Sequence, residues 1–448
     1  MKLNYRPDID GLRALAVTAV VLFHSQISFF GEKFFNGGFI GVDIFFVISG
    51  YLITGIILSE LQTSNNFNFF SFLEKRARRL LPALFSFILI SIPFVYYNLP
   101  LIYFEEFIES IYSAISFVSN FYFYYNSEYF DAPYNLKPLL HTWSLSIEIQ
   151  FYLIFPILII LFWRRVKLLL IILFLLILFN ILLVQFGGNL SIYYPFFEQS
   201  FVFFNPPVLG TFFWTTSRIW EFLFGALIFI FSKKYNIKSN LFISTLGLIL
   251  LISSFYIFYL NVNNPSIITL LPVIGTSLIL LESKNENYVN IILKNKYLVF
   301  IGLISYSTYL FHFLIFSFYD GLMIDEIKYD NYIKFFLIIL SYIIGYISFK
   351  FIEIPFRRKN YKAFNFFYYF IFIVTLLILI FVYFSKEIKK KSTSNIYLNY
   401  PNINFEILPL NQKIHYELKP FSTKNKRKFL IIGDSHAFDS DRRRISSM

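Results

Sequence analysis

Arg13 and His24 stand eleven residues apart in a strongly apolar segment, Gly11 to Phe30. At about 100° per residue, eleven residues return to within roughly 20° of the same helix face, about 16 Å further along the axis. Ionisable side chains on one face of a membrane helix are costly unless they look into a bundle interior or a water-filled cavity, so the pair marks a candidate site. An imidazole near its ordinary pKa of about 6.5 is suited to taking a proton from a hydroxyl at neutral pH, as a general base does. A guanidinium holds phosphate bidentately or stabilises developing negative charge.

Other polar residues fall in equally apolar surroundings. Asp10 lies three residues before Arg13 and can pair with it across the start of a helix. Asp43, in Gly41-Val42-Asp43, is either a boundary charge or a carboxylate that orients the imidazole of His24. Gly37, Gly38, Gly41 and Gly50 around it allow a neighbouring helix or a substrate to come close. Arg76, Arg78 and Arg79, in the run Lys75 to Pro82, are either a topology anchor or a clamp for a phosphorylated donor. His141, Ser144 and Glu148 fall at helical spacing on one face. Arg218-Ile219-Trp220-Glu221, the stretch Ser305 to His312 with Tyr309, and Glu353-Ile354-Pro355-Phe356-Arg357 add further polar groups. Any one of them serves as a satisfied structural group, but together they imply a bundle with a polar interior.

The elements that must position these residues are membrane helices. The chain has 448 residues, 57% hydrophobic and 22% aromatic, and only 15% charged, against about 25% charged in ordinary soluble domains. The fold class is therefore an all-α polytopic membrane protein in a lipid bilayer. The net charge of +12 does not indicate nucleic acid, because the basic residues fall in short segments between apolar spans. The absence of cysteine excludes disulfides, a thiolate nucleophile and a Cys-ligated metal, and no metal is expected. The polar start, Met1 to Ile9, with no small-residue cleavage site after the first span, reads as an uncleaved signal anchor.

Eleven spans are expected, starting near Gly11, Gly38, Leu80, Leu145, Leu168, Arg218, Leu241, Ser266, Leu298, Ile333 and Phe364. With the N-terminus cytoplasmic and Ile108–Tyr125 not crossing, the inner segments hold seventeen Lys and Arg, among them Arg76, Arg164, Lys233, Lys294 and Arg357. The outer ones hold only Lys33, Lys137 and Lys328. This asymmetry fixes the orientation and keeps the serine-rich stretch Ile108–Tyr125 outside or re-entrant. An extracytoplasmic C-terminus follows, although Lys386, Lys389, Lys390 and Lys391 on that side go against the rule.

These motifs resemble, in order, those of the membrane acyltransferase-3 family. The resemblance is carried by Arg13 with His24, Gly41-Val42-Asp43, the Arg-rich segment, His141-Thr142-Trp143-Ser144-Leu145-Ser146 with Glu148, Arg218 with Trp220-Glu221-Phe222, and Ser305-Tyr306-Ser307 with Tyr309 and His312. It runs from about Leu3 to Arg358. It implies a ten-helix acyltransferase bundle in the bacterial cytoplasmic (inner) membrane. The implied activity is transfer of an acyl group, usually acetyl from acetyl-CoA, to a hydroxyl of a surface polysaccharide or lipid-linked glycan. Glu148-Ile149-Gln150 departs from the Glu-Glu-Gln expected of the family.

The expected organisation is an acyltransferase domain over 1–358, an extra membrane helix over 359–385, a linker over 386–427 and a fragment over 428–448. That last piece, with Gly433-Asp434-Ser435-His436, resembles the first block of an SGNH hydrolase. A triad needs a base and an orienting group as well as a nucleophile, and the blocks that carry them are missing, so Ser435 is expected to be inert and the tail an incomplete extracytoplasmic one. In the resulting mechanism His24 is the base, Asp43 or another polar neighbour orients it, Arg13 holds donor phosphate or developing charge, and Arg76, Arg78 and Arg79 meet the donor. His141, Ser144, Glu148, Arg218, Tyr309 and His312 bind substrate or shape the interior. The rival readings are a transporter or flippase of lipid-linked saccharide, against which no inverted repeat is evident, and an inactive truncated remnant.

Overall fold

The computed structural model describes residues 5–29, 32–33, 35–98, 101–126, 137–186, 191–194, 199–202, 207–235, 241–259, 264–282, 287–322, 331–357 and 377. The expected eleventh span from Phe364, the linker and the fragment with Ser435 lie, apart from Leu377, outside these residues. The helices are α1 (Pro7–Ser25), α2 (Gly41–Ser64), α3 (Phe69–Asn98), α4 (Leu101–Ile115), α5 (Ser119–Tyr125), α6 (Thr142–Phe162), α7 (Val166–Phe186) and α8 (Pro207–Phe213). They continue as α9 (Thr215–Tyr235), α10 (Leu241–Tyr259), α11 (Leu270–Glu282), α12 (Tyr288–Leu293), α13 (Lys296–Leu322), α14 (Asn331–Ser348) and α15 (Ile354–Arg357). A π turn, Phe349–Glu353, joins the last two. Two short antiparallel hairpins pair Ser28–Phe29 with Glu32–Lys33 and Ser191–Tyr194 with Gln199–Val202.

The protein is an all-α polytopic membrane protein. Eight helices among the described residues are long and apolar enough to cross a bilayer. Two more stand where spans were expected: α1, which carries Asp8, Asp10 and Arg13 in its first seven residues, and the short α11. Three boundaries differ from the expectation. The first helix closes at Ser25 rather than Phe30, because Gln26 turns left-handed at φ 49° and its N–H returns to the carbonyl of Phe23. The third begins at Phe69 rather than Leu80, because the Asn68 side chain accepts the N–H of Ser71 as an N-cap. Lys75, Arg76, Arg78 and Arg79 therefore sit inside the helix and not in a loop. The stretch Ile108–Tyr125 is no single span: Ser116–Val118 breaks it between α4 and α5, with Phe117 at φ 55°.

Helix α1 lies along α13 and α2, α2 lies along α9, and α13 also meets α3 and α14. Their contact surfaces are apolar and fully buried, with Leu12, Ala16 and Val20 from α1, Ile44 and Val47 from α2, and Phe222 from α9. On the outside, α7 and α14 expose Ile171, Phe174, Phe179, Phe335, Phe336 and Ile339. Such a belt of apolar side chains matches the hydrocarbon around it.

The glycines around Asp43 serve helix packing. A Cβ at Gly37, Gly38, Gly41 or Gly50 would stand 1.9–2.3 Å from a backbone oxygen of α10, α1 or α9. Gly302 brings α13 against α1 in the same way, with a Cβ placed 1.8 Å from the carbonyl oxygen of Asp10. Gly302→Ala must push the two helices apart, and overpacking of this kind costs typically about 1–3 kcal/mol. The expected result is a lower melting temperature for the detergent-purified protein, and an unchanged one would refute the contact.

Candidate active site

Three cavities lie in file along α1. The first, about 960 Å³, is lined by Arg6, Asp8, Tyr51, Trp163, Lys233 and Lys294, and ends at Arg13. The second, about 70 Å³, lies beyond Arg13 and is walled by Val42, Ser49, Arg76, Arg79, Ser144, Glu148, Tyr306 and Tyr309. The third, about 420 Å³, shares Val42 and Tyr309 with the second and holds His24, His141, Trp143, Phe212, Arg218 and Phe313. Arg13 and His24 share one continuous helix, as their spacing requires. Arg13 stands where the first and second cavities meet and His24 in the third, about 16 Å apart by helical rise, so one reacting carbon cannot touch both.

The middle cavity is cationic. Arg13, Arg76 and Arg79 converge on it with a single carboxylate, Glu148. Arg13 pairs with Asp10 at 3.5 Å, as the three-residue spacing anticipates. Glu148 accepts the hydroxyls of Ser49, at 2.6 Å, and Tyr152. Three guanidiniums grouped in this way form a site for an anion such as a phosphate. Arg78 does not join them. It faces the other side of α3, where it forms an ion pair with Glu74 at 2.9 Å, and it lines none of the three cavities. Arg76 and Arg79 are one helical turn apart and Arg78 is not in their row, which is the physical reason for this correction.

The polar stripe on α6 divides between cavities. His141, in the turn before α6, reaches the third, whereas Ser144 and Glu148 reach the second. Tyr309 stands between them: its hydroxyl is 2.8 Å from Ser144 Oγ and donates to the carbonyl of His141 at 3.1 Å. In the third cavity the ring of His24 lies 4.9 Å from Phe313 and 5.3 Å from His312. His312 is fully buried, with Nδ1 2.5 Å from the carbonyl oxygen of Tyr309. His141 packs on Phe313 at 5.1 Å and is 5.8 Å from His312. Among the described residues no three His, Asp or Glu side chains are grouped so as to hold a metal ion.

Asp43 does not orient His24. It forms a buried ion pair with Arg218 at 3.0 Å, and Arg218 in turn pairs with Glu221 at 3.3 Å. All three are at most 1% exposed. The guanidinium is boxed by the rings of Phe46, Trp143 and Phe212 at 5.5–5.8 Å. The reason is that α2 runs along α9, which brings Asp43 to Arg218, while His24 ends α1 beside α13.

A second polar cluster went unnoticed in the sequence. Gln150 donates to Asn120 Oδ1 at 3.0 Å and to the carbonyl of Phe117 at 2.9 Å, and it accepts the hydroxyl of Thr215. Ser119, Thr142 and Ser146 bond to one another beside it. This knot ties the broken segment α4–α5 to α6 and α9, satisfying non-helical backbone inside protein. Ile149 packs into the apolar core instead. The regular Ser spacing in Ile108–Tyr125 was the available signal.

A family model described as an acyltransferase domain, the acyltransferase-3 type, matches residues 6–344. A Staphylococcus aureus (strain MSSA476) protein named "Putative O-acetyltransferase" is 31% identical over 378 residues, covering 81% of this chain and 59% of its own length. O-acetyltransferase OatA of S. aureus (strain NCTC 8325 / PS 47) is 32% identical over 385 residues with the same coverage. The chain thus spans about three fifths of the length of the curated relatives it matches. No solved structure matches it.

Proposed function

The chain belongs to the membrane acyltransferase-3 family, and on that premise we propose that it transfers an acetyl group from acetyl-CoA to a hydroxyl of a cell-surface polysaccharide or lipid-linked glycan. The observation that carries the reading is the file of cavities from a basic vestibule, past Arg13, Arg76 and Arg79, to His24. The names of the relatives supply O-acetyl transfer. The excess of Lys and Arg at the vestibule end supports a cytoplasmic entrance there, as in a bacterial inner membrane with the N-terminus inside.

In this mechanism the thioester donor enters from the vestibule and its phosphates meet guanidiniums. Its acyl end points past Val42 and Tyr309 toward the third cavity. The acceptor hydroxyl comes from the other side and gives its proton to His24. Aromatic walls, Trp143, Phe212 and Phe313, suit the apolar face of a sugar ring.

The test uses membranes from cells expressing the chain, given acetyl-CoA labelled in the acetyl group. Label entering surface glycan is the expected outcome, and none above the level of membranes lacking the chain would refute it. Arg76→Gln or Arg79→Gln is expected to raise the KM for acetyl-CoA about tenfold or more, the cost of one charge-assisted contact of about 1.5–3 kcal/mol. Arg78→Gln leaves that KM unchanged. Equal effects at all three positions would disprove the division drawn between Arg78 and its neighbours.

A further inference from the structure

Acyl transfer places negative charge on the carbonyl oxygen of the donor, inside a low-dielectric bundle where no bulk water is at hand to stabilise it. That oxygen needs a donor in the cavity that holds the base. Arg218 also lines this cavity, but its guanidinium is ion-paired with both Asp43 and Glu221, and an oxyanion would have to compete with two buried carboxylates for it. The Tyr309 hydroxyl is committed to Ser144 and to the carbonyl of His141.

His141 is different. The residue is only 3% exposed, yet neither ring nitrogen makes a hydrogen bond of good geometry within the protein. It lines the same cavity as His24, and both imidazoles pack against one ring, Phe313, at 5.1 and 4.9 Å. Phe87 at 5.4 Å and Tyr309 at 5.4 Å hold the His141 ring from two further sides. A buried polar group without a partner is costly to keep, and one locked in an aromatic box beside a cavity is arranged for a ligand.

We infer that His141 is a second catalytic residue, whose ring N–H donates to the carbonyl oxygen of the acyl thioester as the acceptor hydroxyl attacks. This rests on the acyl-transfer reading above. The step balances as follows. His24 takes the hydroxyl proton as the new C–O bond forms, and the carbonyl oxygen becomes an alkoxide held by His141. Collapse of that intermediate breaks the C–S bond, and the proton on His24 passes to the leaving thiolate. His141 itself gains and loses no proton.

The experiment compares wild type, His141→Phe and His141→Gln in the labelled acetyl-CoA assay with full-length protein in membranes, alongside melting of each purified variant. Phe fills the aromatic box without an N–H, and Gln retains one. His141→Phe is expected to lower kcat by about 10²–10³-fold, the cost of losing one such donor, with KM for acetyl-CoA unchanged. His141→Gln is expected to recover at least about tenfold of that loss. Activity of His141→Phe within a few-fold of wild type overturns the assignment. So does a Gln variant that folds like wild type but is no more active than Phe, and, should Phe fail to fold, a folded His141→Ala whose kcat equals that of His141→Gln. A wild-type chain that transfers no label overturns the acyl-transfer reading instead, which separates the two failures.

Discussion

His24→Ala is expected to reduce O-acetylation of surface glycan by about 10²–10⁴-fold, the range spanned by loss of a positioned general base. The protein itself is expected to fold normally. Helix α1 is held by Leu12, Ala16, Val17 and Val20, all at most 1% exposed, whereas His24 is only half-buried and looks into the third cavity. Its removal enlarges a space that already exists. The measurement is the acetyl content of purified polysaccharide, by mass spectrometry, from cells carrying the wild-type or variant chain at matched membrane abundance. Normal acetylation by the Ala variant would remove His24 from the mechanism. His24→Gln distinguishes a base from a hydrogen-bonding group, since an amide cannot take the proton, and it should be as inactive as Ala.

The second large effect concerns stability. Arg218→Leu strands two carboxylates, Asp43 and Glu221, neither of which is exposed. Removing one partner of a buried ion pair costs about 3–5 kcal/mol, because the remaining charge has neither water nor counterion. A protein of ordinary marginal stability loses a large part of its reserve in this way, so the variant should be scarce in membranes and melt well below wild type. The charge argument makes a further demand. Arg218→Leu combined with Asp43→Asn and Glu221→Gln leaves no buried charge and should regain more than half of the lost stability. If Arg218→Leu melts like wild type, or the triple variant melts no higher than the single one, the buried triad is not what secures α2 to α9.

Much of the bundle could be read from residue types alone. Among the described residues a helix stands at each of the first ten expected spans, and all but α3 start within four residues of the position read from hydropathy. The errors lie where a local group outweighs hydropathy. Gln26 ends α1 early through a left-handed turn, and Asn68 starts α3 early through its side-chain cap. Hydropathy discounts the charged first turns of α3, although a helix with cations on its cavity face is stable there.

For the site, helical periodicity placed Arg13 and His24 on one continuous element, whereas the basic run was read as a unit and only the structure brings Arg76 and Arg79 into one cavity. It could not place Asp43. A sequence shows that a carboxylate is near the membrane, but which of His24 and Arg218 it meets depends on how α2 crosses α9, and that crossing is set by Gly50 against the backbone of Phe222. The polar knot of Gln150, Asn120 and Thr215 was hidden for the same reason: its members lie on three separate elements. The different placement of Arg78 was legible, since its offset from the Arg76–Arg79 row is visible in the spacing.

The narrow middle compartment has one further consequence. A protein open to both faces of an energised membrane risks becoming a leak that discharges the ion gradient. Here the constriction of about 70 Å³ is ringed by Arg13, Arg76 and Arg79 against one carboxylate. Fixed positive charge at a bottleneck repels hydronium and metal cations, as it does in water-selective pores. On the acyl-transfer reading, the guanidiniums proposed to meet an anionic donor would thus also act as electrical insulation while the site stands empty.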